Sequence, residues 1–284
     1  MILPAIAYFA VFHYAPMYGV IIAFQDYKPL KGIMGSKWVG FANFQTFIES
    51  PFIWRLIRNT LSINIGMLVF GFPLPIIFAL LLNEVRSTAF RKVVQTVTYM
   101  PHFVSSVVVC GLMVIFCRSD GLLTSILTHF GMPKTNLLTI EGYFQPLYIG
   151  MNIWQELGWD SIIYFAALTS VDAALYEAAR VDGAGRWRQM WHITLPGIAP
   201  TIVILLILRI GNLMSLGWDR IILMYNDMVM ETADVISTYV YRTGLQQVQY
   251  SYATAVGLLN SIINVILLVS TNAISRKISD NSLW

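Results

Sequence analysis

Hydrophobic positions in this chain come in long unbroken blocks separated by short polar ones, not with the period of an amphipathic helix or a strand. Apolar blocks cover about residues 2–24, 61–82, 93–116, 146–169, 197–216 and 252–274. Each is long enough to cross about 30 Å of hydrocarbon as a helix. A helix that is apolar all round belongs in a membrane or a deep core, so the pattern predicts six spans in a single domain, 1–284. Prolines punctuate these blocks. Pro4 and Pro16 bend the first span or mark its ends, Gly71, Pro73 and Pro75 interrupt the second, and Pro101-His102 falls in the first half of the third.

The polar connections differ in kind. Residues 25–56 hold Asp26, Lys28, Pro29, Lys31 and Gly32, and then Phe41, Phe44 and Phe47 at a spacing that suits a short interfacial helix. Arg55 and Arg58 lead into the second span, where they are expected to snorkel toward the outer headgroups. The 83–92 loop is short and basic. Residues 118–145 read as an external loop with one or two amphipathic turns. Residues 217–251 read as a long outer loop mixing Trp218, Asp219, Arg220, Tyr239, Tyr241 and Gln246 with other aromatic and hydrogen-bonding groups. Such a mix suits sugars, whose C–H faces lie on aromatic rings and whose hydroxyls meet planar polar groups; interfacial tyrosines in a solvated loop give the same pattern.

Composition strengthens the membrane reading. Hydrophobic residues make up 57% and charged residues 12%, about half the roughly 25% charge content of soluble domains. The net charge of +3 is small and concentrated in loops, which argues against a nucleic-acid partner. Cys110 and Cys117 lie in one apolar run and form neither a metal motif nor a disulfide framework. The first span lacks the basic flank and cleavage site of a signal peptide and is expected to be retained. Because it starts abruptly, a further cytoplasmic segment is expected ahead of it.

One polar stretch stands apart. Glu177 to Pro196 carries Arg180, Arg186 and Arg188 between two apolar blocks, and short basic connections face the cytoplasm. Ser170 or Asp172 can cap a first short helix, Gly183 or Gly185 breaks it, and Trp187, Met190 and Trp191 share the face of a second. Pro196 then suits the first turn of the next span. Glu177, Ala178, Ala179, Gly183, Ile193, Leu195 and Pro196 together match the pattern Glu-Ala-Ala, three residues, Gly, nine residues, Ile-x-Leu-Pro. This resembles the signature of permease subunits of binding-protein-dependent ABC importers. Asn59-Thr60 at the start of the second span is similar to the same family. Tyr99-Met-Pro-His-Phe-Val-Ser, Leu175-Tyr-Glu-Ala-Ala-Arg-Val-Asp-Gly-Ala and Leu208-Arg-Ile-Gly-Asn-Leu resemble its oligosaccharide and polysaccharide branch, which includes alginate and rhamnogalacturonan importers.

The resemblance implies an all-α membrane protein with the six transmembrane helices of the type I ABC importer (MetI-like) permease fold and a cytoplasmic coupling helix within residues 172–195. It implies coupling to ATPase subunits through Glu177, Ala178, Ala179, Asp182, Gly183, Arg186, Ile193, Leu195 and Pro196. The implied partners are a second homologous permease, two ATPase subunits that bind the ATP and Mg, an extracytoplasmic binding protein, an oligosaccharide and membrane lipid. Trp218, Asp219, Tyr239, Tyr241 and Gln246 are the expected contacts with the binding protein. The implied location is a bacterial cytoplasmic membrane with both termini inside. Basic residues are denser in the inside pieces, Arg86, Arg91, Lys92, Arg180, Arg186, Arg188, Arg276 and Lys277, than in the longer outside loops.

Polar groups within spans mark candidate pathway residues. Asn152, Gln155, Glu156 and Trp159 recur at helical spacing in the fourth span, and Glu156 is read as the only acid near a span; a cavity wall and a wet helix end both fit. Arg209, placed centrally in the fifth span, shares a face with Asn212. Two readings stand for it: contact with an anionic or hydroxyl-rich substrate, or a structural salt bridge or carbonyl cap. Asn260 and Asn264 fit interhelical hydrogen bonding, and His102 is expected to bond a carbonyl freed by a bend. No P-loop and no metal spacing occur in the sequence, so the chain is expected to carry no cofactor and to be a non-catalytic subunit. A rival intramembrane enzyme would need a carboxylate pair, a Ser/Lys arrangement or a metal site; a rival ion-driven carrier would need repeats and buried acids.

Overall fold

The computed structural model describes residues 2–278 and 282–283. Four helices are long and apolar enough to cross a membrane: Leu3–Phe24, Ile53–Asn83, Arg186–Gly211 and Tyr250–Lys277. Two bent pairs, Thr88–Phe103 with Ser106–Cys117 at 97° and Glu141–Leu168 with Ala173–Val181 at 74°, bring the number to as many as six when each is counted as one span. The remainder of the expected C-terminal tail lies outside the described residues.

Several boundaries move, and each has a physical cause. The second and fifth spans were expected to begin at 61 and 197, after their polar or proline-containing approaches. Instead the second helix already runs from Ile53 and the fifth from Arg186. Pro73 and Pro196 do not end these helices because a widened turn precedes each. π-Turns at Ala10–Tyr14, Met67–Gly71 and Met190–Thr194 are followed two residues later by Pro16, Pro73 and Pro196. Such a turn absorbs the missing N–H and the clash of the ring with the preceding turn. Pro196 therefore sits inside a continuous helix, and the second half of the elbow is the first part of the fifth span.

Pro101 behaves differently. It sits in a 3-10 turn, Met100–Phe103, that ends the first half of the third span, and Ser105 caps the second half by accepting from the Val108 N–H. The third span is thus broken, not merely bent. The fourth span packs across the break: the Gln155 amide donates to the Val104 carbonyl at 3.0 Å, and a Cβ at Gly158 would strike the Thr98 carbonyl.

At the end opposite the elbow, the connections fold into a helical cap. The expected outer loop at 217–251 contains helices Trp218–Met224, Met230–Ala233 and Ile236–Tyr241. Ile221, Val229, Ala233 and Val235 are fully buried in a core shared with Phe144 and Tyr148 of the fourth span. Phe44 and Phe47 of helix Ala42–Ile48 are likewise buried, against the last span, while Phe41 stays exposed.

Ionic contacts tie this cap to the second span. Asp234 has no solvent exposure, and Arg55 and Arg242 reach it at 3.2 and 2.7 Å. Burial opposes the Arg242 charge, but the hydrogen bond and charge of Asp234 hold its pKa above the ordinary arginine value. Arg55 and Arg58 also pair with Glu231 at 3.3 and 3.1 Å. These arginines pair with carboxylates of the cap. Asn59 donates to the carbonyls of Glu231 and Asp234, both at 2.9 Å, and Thr60 accepts from the Ile236 N–H at 3.1 Å. The Asn59-Thr60 pair is a pin for the cap.

Replacing Asp234 with Ala leaves two guanidinium groups facing a buried, uncompensated site, a change that costs about 3–5 kcal/mol. Thermal unfolding of the detergent-solubilised protein should show this loss, whereas Glu231→Ala, at a half-exposed partner, should cost about 1 kcal/mol or less.

Candidate translocation cavity and coupling elbow

The fourth span places Asn152, Glu156, Trp159 and Asp160 on one face at i, i+4, i+7 and i+8. That face meets the break in the third span, the end of the fifth and the first cap helix. Together they enclose a cavity of about 580 Å3 whose lining includes Asn64, His102, Ser106, Asn152, Glu156, Trp159, Asp160, Arg209, Asn212, Ser215, Asp219 and Arg220. A second cavity, of about 380 Å3, continues from it between the second, fourth and fifth spans and shares Met67, Asn152, Glu156, Asp160, Arg209 and Asn212.

Glu156 is the hub of the polar wall. Its carboxylate accepts from Arg220 at 2.9 Å, and its other oxygen lies 2.6 Å from His102 Nδ1. Arg220 also donates to Asn152 and, at 3.3 Å, to Ser106. His102 stacks flat on Trp159, with ring centroids 4.2 Å apart and planes 3° apart. Trp159 remains 41% exposed, so one indole is held rigidly in a wall of hydrogen-bonding groups.

Expected pathway residues divide on inspection. Asn152, Trp159, Arg209 and Asn212 line the cavity. Gln155 does not: it is 2% exposed and spent on the Val104 carbonyl. Arg209 is not at the middle of its span but in the last turn of helix Leu195–Gly211, so its insertion cost is that of a helix end. It makes no ion pair or hydrogen bond among the described residues. His102 bonds Glu156 and not a freed carbonyl. Asn264 does bridge helices, accepting from the Met214 N–H and donating to Ser215 at 2.9 and 2.8 Å.

Asp160, His102 and Arg220 are among the cavity residues that the sequence reading did not place there. Asp160 lies one turn from Glu156, a spacing that signalled a second acid on the same face. His102, adjacent to a helix-breaking proline, marked a place where polar groups converge. Arg220 carried no comparable signal, because only the fold of the cap turns it inward.

Of the expected binding-protein contacts, Tyr239 is 8% exposed and hydrogen-bonded to Tyr252 at 3.0 Å. It is a packing residue. Asp219 lines the polar cavity. Trp218 stacks on Tyr241 at 4.3 Å, and Gln246 is exposed.

At the other end lies the elbow. The Asp172 side chain accepts from the Ala174 N–H at 2.9 Å and starts helix Ala173–Val181; Ser170 bonds back to Ala167 instead. Gly183, at φ +74°, reverses the chain, and the Ala184 N–H returns to the Ala179 carbonyl at 2.8 Å, closing the helix end. Glu177, Ala178, Asp182 and Arg186 are exposed, Ala179, Ile193 and Leu195 half-buried, and Pro196 exposed. Tyr176 ties the elbow helix to Thr194 of the fifth span at 2.9 Å, and Arg186 reaches the Glu84 carbonyl at 3.4 Å. The elbow is thus exposed and attached to the second and fifth spans.

Residues 71–280 match the family described as binding-protein-dependent transport system inner membrane component. The chain belongs to that family. As a member, this permease is a multi-pass membrane component of a transport system that works with a binding protein. Among its relatives, the polygalacturonan/rhamnogalacturonan transport system permease protein YteP of Bacillus subtilis (strain 168) is 48% identical, over 100% of this chain and 89% of that protein. Protein LplB of the same strain is 44% identical, over 100% and 90%. A chain of a bacterial alginate ABC transporter, solved in complex with its alginate pentasaccharide-bound periplasmic protein, superposes with a TM-score of 0.90 at 44% identity, over 100% of the permease and 95% of that chain.

Glu156 and Arg220 are coupled through a hydrogen-bonded ion pair in a partly shielded wall. A double-mutant cycle of Glu156→Ala and Arg220→Ala, read by thermal unfolding in detergent, should return a coupling energy of about 1–3 kcal/mol. The double variant should lose clearly less than the sum of the single losses.

Proposed function

We propose that this permease forms one half of the membrane path of an ATP-driven oligosaccharide importer, within a single domain spanning residues 1–284. The carrying observation is the polar cavity with its one rigid indole, lying between the spans that the elbow grips. Hydrogen-bonding side chains around an aromatic face suit a sugar passing through, and a lining shared with a second cavity suits passage over fixed binding. Relatives named for pectic polysaccharides and alginate support the same class of substrate.

The energy enters at the elbow. Two ATPase subunits bind the ATP and Mg, close on ATP binding, and draw the elbow helices of this chain and of a second permease together. Glu177 takes a basic residue of the ATPase, Ala178 and Asp182 lie against it, and Gly183 sets the turn that presents them. The half-buried Ala179, Ile193 and Leu195, with Arg186 and Pro196, transmit the push to the second and fifth spans. The elbow end is the cytoplasmic side of a bacterial cytoplasmic membrane, which puts both termini there. The binding protein meets the cap, with Trp218, Tyr241 and Gln246 as its remaining contacts. This subunit makes and breaks no covalent bond.

Uptake into proteoliposomes holding the assembled complex should require ATP and the binding protein; uptake driven by a proton or sodium gradient alone would refute the assignment. Glu177→Lys and Gly183→Pro should leave the amount of protein in the membrane unchanged and lower substrate-stimulated ATP hydrolysis by about tenfold. Normal stimulation in both variants would place the coupling elsewhere.

A further inference from the structure

The charges of the cavity do not balance in the way an acidic substrate would favour. Arg220 is committed to Glu156, Asn152 and Ser106. That leaves Arg209 as the one uncommitted guanidinium in the lining, against two carboxylates, Asp160 and Asp219. None of these three makes a hydrogen bond or ion pair among the described residues. Arg209 and Asp160 both line each of the two cavities, with no N···O contact within 4.0 Å between them.

A cation and an anion held apart in this way form a receptor for a group that both donates and accepts. A hydroxyl does both. One hydroxyl oxygen at about 2.8 Å from each partner bridges a gap of up to about 5.6 Å, and the vicinal pair on a sugar ring bridges more. A carboxylate does only half of this. It would bind Arg209 but stand beside Asp160 and Asp219, and like charges at such range repel. Trp159, immobilised by His102, offers a face for the ring's C–H side from the same wall.

We propose that Asp160 and Arg209 form a sugar-hydroxyl clamp in this subunit, which takes an uncharged diol-bearing ring and disfavours a uronate ring at the same point. The inference rests on the importer reading above and narrows its substrate class. Any carboxylates of an acidic oligosaccharide are therefore met outside this half of the path. Asp160 is then a specificity-determining residue, selecting by repulsion as well as by attraction.

The test compares uronic acid oligosaccharides with the same oligosaccharides after carboxyl reduction. Each is delivered by the binding protein to the reconstituted complex, and substrate-stimulated ATP hydrolysis is read. Taking the ratio of variant to wild type for each probe cancels the preference of the binding protein. Asp160→Asn should raise the acidic probe relative to the reduced one by about tenfold, and Arg209→Gln should lower both probes to a similar degree. Arg209→Lys, which keeps the charge, should restore part of the loss for both. An unchanged probe ratio in Asp160→Asn, or selective loss of the acidic probe in Arg209→Gln, overturns the clamp while leaving the importer assignment intact. A wild-type complex stimulated by neither probe overturns both.

Discussion

A helix that stops at membrane depth frees backbone groups that hydrocarbon cannot satisfy, so a break is tolerated only where protein or a water-filled cavity supplies the partners. The break at Pro101 meets that requirement on every side. Gln155 takes the Val104 carbonyl, Ser105 takes the Val108 N–H, and Gly158 lets the fourth span approach the Thr98 carbonyl without a side chain between. His102 in the 3-10 turn and Ser106 at the start of the next helix line the cavity beside the break and meet Glu156 and Arg220. The cavity and the discontinuity are one feature: the backbone opens where polar side chains and space are both present.

The other prolines show the alternative. At Pro16, Pro73 and Pro196 a π-turn lets the helix continue, so the spans stay long and stiff. The fifth span is then one continuous helix from Arg186, just beyond Gly183, to Gly211, with Arg209 and Asn212 beside the cavity. The cap at the opposite end is held to the second span by Arg55, Asn59, Thr60 and the buried Asp234. Paired burial of that carboxylate costs desolvation, yet it sets one position for a cap that apolar contacts alone would leave free to slide.

Much of this was legible before any coordinates. Six apolar blocks, a basic elbow with Glu177, Gly183 and Pro196 at fixed spacing, and a polar stripe through Asn152, Glu156 and Trp159 are local patterns. Local patterns report on one helix and its immediate ends. Long-range pairing is not local: Arg55 read as a headgroup residue because its carboxylate partners lie about 180 positions along the chain, and residues 217–251 read as a solvated loop because their burial depends on a surface built from other spans.

The sequence by itself determined which segments enter the membrane, where the elbow turns and which family the chain joins, since hydropathy, helix capping and motif spacing act over one or two turns. Only the tertiary structure decided that Gln155 is a strut, that Tyr239 is core, that Arg220 points inward and that Arg209 and Asp160 line the same two cavities without an ion pair between them. Those outcomes depend on how five separated elements pack, and the direction in which a side chain points is set by the neighbours that packing brings to it.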